Sequence, residues 1–499
     1  MRRCRALITT LLIAVFIAGC GFAGGAAAPV AALPTVTESA LPQPVSSSTP
    51  VPSEAGAFPS SSDVSERLFG PGLSHHLTVY ISRNEWLGMS QDMLDYAEID
   101  VWMRTGNCRH ANLVYEDEDG IIEIDDIGLR TRGNTTRILP EDEDGYHRAH
   151  FTFEFNETFD FSEGSTEYQE HDQRALFGLT SLDLKWNLWT DRSHIRELYA
   201  YSLMASAGVT APRAALATLD FVIDGEWVHY GVYTMVEPVD KAFLTRHYGT
   251  QADGGNLYKC LWENIPATLE SGYPEGEIGV KNWESGYRPS YDLKTNKSKA
   301  DTSDLQAFID SLNTLDDDDF AEYIESSFEV DKFLCYLAAD VLLGNADDYR
   351  TMGNNYYLYF NPAGKIELIP YDFDACLGGG WEGGPACSFE ILATEDIYDV
   401  PNLNAAYMDR SVSHPLADRI LAIPAYRQRY EQYLLDFINS GLFSYEGFRY
   451  TFETLEAIYG PYTGSDTEDR GETMTLTNEK WFFEAKTKSI LSRLGDATW

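Results

Sequence analysis

Between Gly344 and Gly380 the sequence gathers carboxylates and amides at a spacing that could do chemistry. Asn345-Ala346-Asp347-Asp348-Tyr349 is followed by Gly353-Asn354-Asn355, and then by Tyr356 to Phe360, which reads as a strand. Asn361-Pro362-Ala363-Gly364 has the residue order of a type I turn, with Asn first, Pro second and Gly fourth. A return strand, Lys365 to Ile369, delivers Pro370-Tyr371-Asp372-Phe373-Asp374. Residues before the first strand of a hairpin and after the second are neighbours. Asp347 is therefore expected near Asp372 and Asp374. Carboxylates converging with an Asn carbonyl are hard oxygen ligands suited to Mg²⁺ or Mn²⁺. Asp and Asn also serve turns by bonding the local backbone, so the whole constellation carries the reading and no single residue does.

The order of parts is also that of protein kinases: a catalytic loop with an Asp and a downstream Asn, a hairpin, then an Asp-Phe-Gly metal loop. Here Asp347 precedes Asn354 and Asn355 by seven and eight residues rather than five, and the metal loop reads Asp-Phe-Asp.

Elements that must position these groups can be read along the chain. Leu77 to Ile81 is a strand candidate, followed by β-like runs over Ala97 to Met103, Ala111 to Tyr115, Gly120 to Leu129 and His150 to Phe155. The acidic runs Glu116 to Asp119 and Glu141 to Asp144 are expected in solvated turns between them. Arg192 to Gly208 has helical spacing and a terminal glycine. Two strands, Ala215 to Ile223 and Val228 to Val236, flank Asp224-Gly225, a hairpin signal. Helical patterns then cover Leu305 to Leu315, Phe320 to Ser327, Val330 to Leu343 and most of Val412 to Leu494. A β-rich first half and a helical second half predict an α+β chain of two lobes. Arg130 and Arg132 alternate on one face of a strand, and Gly133-Asn134 forms a tight turn whose backbone N–H groups can approach phosphate.

The segment resembles the CotH family, the spore-coat-protein-H-like atypical kinases. Leu129 to Arg137 is similar to its Arg-x-Arg-Gly-Asn-Ser/Thr motif. Leu184-Lys185, with Trp189 to Ser193 and Ile195-Arg196-Glu197, resembles its Lys-containing strand and following helix. Ala211-Pro212-Arg213, Gly231-Val232-Tyr233, Val236 to Lys241, Gly255 to Lys259 and Tyr291 to Asn296 continue the pattern, over about Val79 to Gly380. The resemblance implies a divergent protein-kinase-like fold, with a β-rich N-terminal lobe and a mainly helical C-terminal lobe, that transfers phosphate from ATP to protein Ser. It implies Asp347 as the catalytic-loop Asp, Asp372 as metal ligand, Asn354 or Asn355 as second ligand and Asp374 as auxiliary. Arg130, Arg132, Asn134, Lys185, Glu237 and Lys259 are the implied nucleotide-binding set. Many members carry a Lys-rich strand after the Arg-Gly-Asn motif, but here His147 to Phe155 has no Lys. The phosphate-gripping role then passes to Arg148, Lys185, Lys259 or Arg132, with Lys185 the first choice.

Arg2, Arg3 and Arg5 precede an apolar stretch, Ala6 to Ala18, that ends in Ile17-Ala18-Gly19-Cys20 and resembles a lipoprotein box. The expected organisation is a signal peptide over 1–19, a linker over 20–70 anchored by lipid on Cys20, and the kinase-like domain over 71–499. That places the protein on the outer side of the cell membrane, facing secreted or surface protein substrates. With Cys4 removed and Cys20 lipidated, Cys108, Cys260, Cys335, Cys376 and Cys387 remain, without metal-ligand spacing. Of 499 residues, 37 are Lys or Arg and 78 are Asp or Glu, a formal charge of −41 that argues against a nucleic-acid partner. No Walker A motif, zinc spacing, Gly-x-Ser-x-Gly elbow or Rossmann fingerprint occurs. Alternatives from other classes are a non-catalytic surface assembly or adhesion protein, and nucleotidyl transfer from the same carboxylates.

Overall fold

The computed structural model describes residues 64–134, 136–187, 191–252, 254–379, 388–401, 412–467 and 473–495. The expected signal peptide, Cys20, most of the linker, Thr135, Trp189, Thr190 and Cys387 lie outside the described residues.

Strands β1 (His76–Ile81), β2 (Arg109–Asp117), β3 (Gly120–Arg132), β4 (Glu141–Asp142), β5 (Gly145–Tyr146), β6 (His150–Glu154), β7 (Ser181–Trp186), β8 (Ala214–Ile223) and β9 (Glu226–Val236) form the first part of the chain. Seven of them close into a barrel in the order β1-β2-β3-β6-β7-β9-β8, while β4 and β5 make a small separate hairpin. The barrel closes where β1 runs parallel to β8, His76 opposite Thr218, and its other pairs are antiparallel. Alternation fills its interior: Leu129, Phe151, Phe153, Leu182 and Leu184 point inward with Leu77, Val79, Leu219 and Phe221. The β8–β9 turn has positive φ at both Asp224 (48°) and Gly225 (89°), as a two-residue hairpin loop requires.

A second sheet is built from β10 (Asn256–Cys260), β11 (Ile278–Gly279), β12 (Tyr291–Leu293), β13 (Tyr356–Phe360) and β14 (Ile366–Pro370), in the order β11-β12-β10-β13-β14. It shares a large hydrophobic cluster with the Arg196–Ser206 and Val330–Leu343 helices and the helices after Pro415. The chain is thus mixed α and β, strand-rich early and helical later.

Some expectations are corrected. Ala97–Met103 is not a strand: the Asp100 carboxylate accepts from the Trp102 and Arg104 N–H groups, which gives this backbone a local alternative to a ladder. The Arg83–Tyr96 helix before it was unexpected from the pattern, although Ser82 caps it by accepting from Glu85 N–H at 3.2 Å, the Ser-x-x-Glu order of a capping box. Residues 64–70 belong to the folded unit rather than a linker, because Leu68 is fully buried and Arg67 pairs with Asp117. Nor is Glu141 merely solvated: it accepts from Trp86 Nε1 at 2.7 Å and pairs with Arg83. Cys108, Cys260, Cys335 and Cys376 are free thiols.

Candidate functional site

Residues that alternate with the barrel's apolar interior make a polar outer face on β3, β6 and β7. Arg130 and Arg132 share it with Thr152, Glu154, Asp183 and Lys185. Period two therefore decides the site: Leu182 and Leu184 go to the core, so Asp183 and Lys185 face the second sheet.

The Lys185 ammonium is the hub. It pairs with Glu197 at 2.7 Å, with Asp374 at 3.0 Å and with Asp372. Glu197 is delivered by the first turn of the Arg196–Ser206 helix, whose entry is fixed by Asp191 accepting from Ser193, His194 and Arg196 N–H groups. Asp372 follows β14, and its backbone is latched to the same helix. Its N–H donates to Tyr201 Oη at 2.9 Å, Tyr201 donates to Glu197 Oε1, and Phe373 N–H donates to Glu197 at 3.3 Å. Asp372 holds φ of 63°, a left-handed conformation that a non-glycine residue keeps only when its surroundings impose it.

Burial lowers the Lys185 pKa, but Asp372, Asp374 and Glu197 together drive it well above the ordinary lysine value. Burial also raises each carboxylate. For Asp372 the adjacent ammonium outweighs burial and holds it below the usual range, whereas Asp374 and Glu197 stay raised because each also faces the other acids. Glu197, Asp372 and Asp374 each offer an oxygen within 4.8 Å of the others, a donor set that fits a hard divalent cation. Glu197 was not among the expected ligands; a Glu opening the helix after a Lys strand was its signal.

The β13–β14 hairpin forms as expected, Tyr356 opposite Pro370, with Gly364 N–H donating to Asn361 O across the turn. Before it, the two asparagines clamp Asp347: Asn354 Nδ2 donates to Oδ1 and Asn355 Nδ2 to Oδ2, both at 2.8 Å. Asn354 Oδ1 is occupied by Trp262 N–H at 2.8 Å, so Asn355 is the better placed of the two to offer a carbonyl oxygen. Burial pushes the Asp347 carboxyl up to about 7, against the stabilising amide bonds, and Asp372 adds to the rise. Gly353 makes the approach feasible: it has φ of 62°, and a Cβ there would lie 2.8 Å from Thr268 Cγ2. A carboxylate with this pKa and two fixed amides is suited to orienting a hydroxyl and accepting its proton.

The other expected residues separate. Arg132 joins the site edge, donating to Tyr371 Oη at 3.0 Å and pairing with Asp183 at 3.2 Å. Lys259, on β10, lies 4.8 Å from the Tyr371 ring and has no carboxylate partner among the described residues. Burial, Arg132 and Lys294 bring it down to about 8. Arg130 pairs with Glu154 at 2.8 Å. Asn134 is exposed and begins a turn, its carbonyl accepting from Arg137 N–H at 3.1 Å. Glu237 is buried away from the Lys185 cluster's bonds, its carboxylate taken by Arg213 at 2.9 Å and Arg246 at 2.6 Å. Asp183 and Tyr371, which link Arg132 to the hairpin, had been given no role.

A family model described as CotH kinase protein matches residues 129–485. Inner spore coat protein H of Bacillus subtilis (strain 168) is 26% identical over 220 residues, which is 44% of this chain and 56% of that protein. The chain thus matches little more than half the length of that relative. Among the described residues, no helix is long and apolar enough to cross a membrane.

Proposed function

Since the chain belongs to the CotH family, we propose that it is a kinase-like phosphotransferase that moves phosphate from ATP to a hydroxyl, chiefly of Ser, on secreted or surface proteins. The carrying observation is the Lys185 hub. A lysine on a barrel strand pairs with a helix glutamate and with the aspartate that follows a hairpin. Protein kinases use that combination to set the nucleotide phosphates against metal and catalytic loop. By this reading the barrel is the N-terminal lobe and the helices with the second sheet form the other.

Mg²⁺ or Mn²⁺ held by Asp372 and Asp374, with Asn355 as a further ligand, would supply charge neutralisation on the phosphate chain. The chain's own residues do the rest. Lys185 and Glu197 fix the loop that carries Asp372. Lys259 has no carboxylate at ion-pair distance among the described residues, which makes it, rather than Lys185, the better phosphate partner. Asp347 orients the acceptor hydroxyl and takes its proton, with Asn354 and Asn355 holding its oxygens apart. Positioning and charge would provide most of the acceleration. The lipoprotein-like leader supports action outside the cytoplasmic membrane, with Cys20 as the anchor.

The test is transfer from γ-labelled ATP to an exported protein acceptor with Mg²⁺ or Mn²⁺. Label on Ser is expected, lost by at least about 10²-fold in Asp347→Ala and Asp372→Ala proteins. Label that persists unchanged in both variants would overturn the assignment. Saturable ATP binding without turnover would instead favour a surface assembly role, and the mass added to the acceptor separates phosphoryl from nucleotidyl transfer.

A further inference from the structure

Beside the Lys185 hub, and sharing none of its residues, is a cavity of about 250 Å³. Arg130 and Glu154 line it from the barrel's outer face, and Lys281, Asp292, Lys294 and Lys297 line it from the second sheet and its flanking loops. Four cations facing one concave site are out of character for a chain with a formal charge of −41. Two of them are neutralised locally: Arg130 by Glu154 at 2.8 Å and Lys294 by Asp292 at 3.2 Å. Lys281 and Lys297 have no carboxylate at ion-pair distance among the described residues. Glu157, also in the lining, is a single carboxylate against these two free ammonium groups. Lys281 lies 3.8 Å from the Trp283 ring centroid, which steadies it without cancelling its charge.

Like charges held together in a concave site repel, and an arriving anion relieves that repulsion. Consistent with this, both ammonium groups are pushed below the ordinary lysine value: Lys281 by burial first and then by Lys294, and Lys297, although exposed as a residue, by desolvation of its ammonium first and then by Lys294. Lys259, close enough to feel both Lys294 and Asp372, connects the cavity electrostatically to the hub.

We propose that this cavity binds a phosphoryl oxyanion, gripped by Lys281 and Lys297 and backed by Arg130 and Lys294. The group can be carried by a phosphorylated protein side chain or by the phosphate chain of a nucleotide. The lining favours the side chain: Trp283 is already covered by Lys281 and by Arg288, 4.8 Å from its centroid, and so offers a base little stacking surface. A phosphorylated residue needs no such surface. Its recognition would give the protein a preference for acceptors that already carry phosphate near the target hydroxyl.

Binding needs no turnover, so its test stands apart from the transfer assay. Full-length protein is titrated calorimetrically, without divalent metal, with pyrophosphate, with a phosphoserine peptide and its unphosphorylated twin, and with ADP. Saturable pyrophosphate binding is expected, weakened at least about tenfold in Lys281→Gln/Lys297→Gln by loss of two charge-assisted contacts. Lys297→Glu, at an exposed position, is expected to weaken it too while leaving the melting temperature unchanged, and decides the matter if the double variant fails to fold. The same loss for the phosphoserine peptide, with ADP unaffected, assigns the site to a protein ligand; the same loss for ADP assigns it to the nucleotide. No saturable pyrophosphate binding by the native protein, or equal binding by native and variant proteins, would overturn the proposal.

Discussion

One ammonium surrounded by three carboxylates is an arrangement with surplus negative charge, and Lys185 is what makes it tolerable without a metal. The lysine is buried, as is Glu197, so their mutual attraction is little screened. Replacing Lys185 by Met keeps most of the apolar stem and removes the charge, leaving Glu197, Asp372 and Asp374 facing one another. The expected cost in metal-free buffer is about 3–5 kcal/mol, the range found when one partner of a buried pair is lost. A divalent cation would occupy the place of that ammonium. Millimolar Mg²⁺ or Mn²⁺ should therefore raise the melting temperature of Lys185→Met more than that of the native protein. Equal metal effects on both proteins would mean that no cation takes the place the ammonium leaves among these carboxylates.

At the scale of elements, Glu237 distinguishes a residue that looks functional in sequence from one that holds elements together. It follows β9, and its carboxylate joins Arg213, just before β8, to Arg246 in the Lys241–Tyr248 helix. Glu237→Gln would leave two guanidiniums facing a neutral amide. The expected loss is about 2 kcal/mol, below the full buried-pair figure because both arginines reach water. ATP affinity of the folded variant should be unchanged, and a calorimetric titration showing otherwise would return Glu237 to the nucleotide site. The sequence made the β13–β14 hairpin legible because its Asn-Pro-Ala-Gly turn and flanking strands are local. It also made legible that Asp347, Asp372 and Asp374 belong together, through the hairpin between them, whereas Lys185 was expected at the site only through the family resemblance. Barrel closure was not legible: alternation tells which face of β1 is apolar, but not that His76 will lie opposite Thr218, far along the chain. The Asn354 role was also hidden, since only the fold brings Trp262 N–H to its carbonyl oxygen.

The charge of −41 dominates the whole molecule, and acidification acts on it in opposing ways. Protonating surface acids relieves self-repulsion and favours the folded state. Buried histidines work against it. His75, whose ring bonds Tyr115 Oη and whose backbone N–H donates to Tyr459 Oη, and His414, packed against Tyr349, are both pushed down from 6.5 to about 4, first of all by burial. Their folded values lie below their unfolded ones, so between pH 6.5 and 4 the unfolded chain binds more protons. Stability from keeping them neutral is full above about pH 6.5 and is lost as pH falls towards 4. Each should contribute on the order of 2 kcal/mol to that loss by the acid end of the window. The charge relief is common to native protein and variants, so the comparison isolates the histidines. His75→Gln/His414→Gln should be less stable than the native protein at pH 7.5, through lost packing. Denaturant titrations at successive pH values should show the gap narrowing steadily below pH 6.5. A gap that stays constant down to pH 4.5 would mean that neither imidazole is held neutral by the fold, and that the acid response of this protein is set by its carboxylates alone.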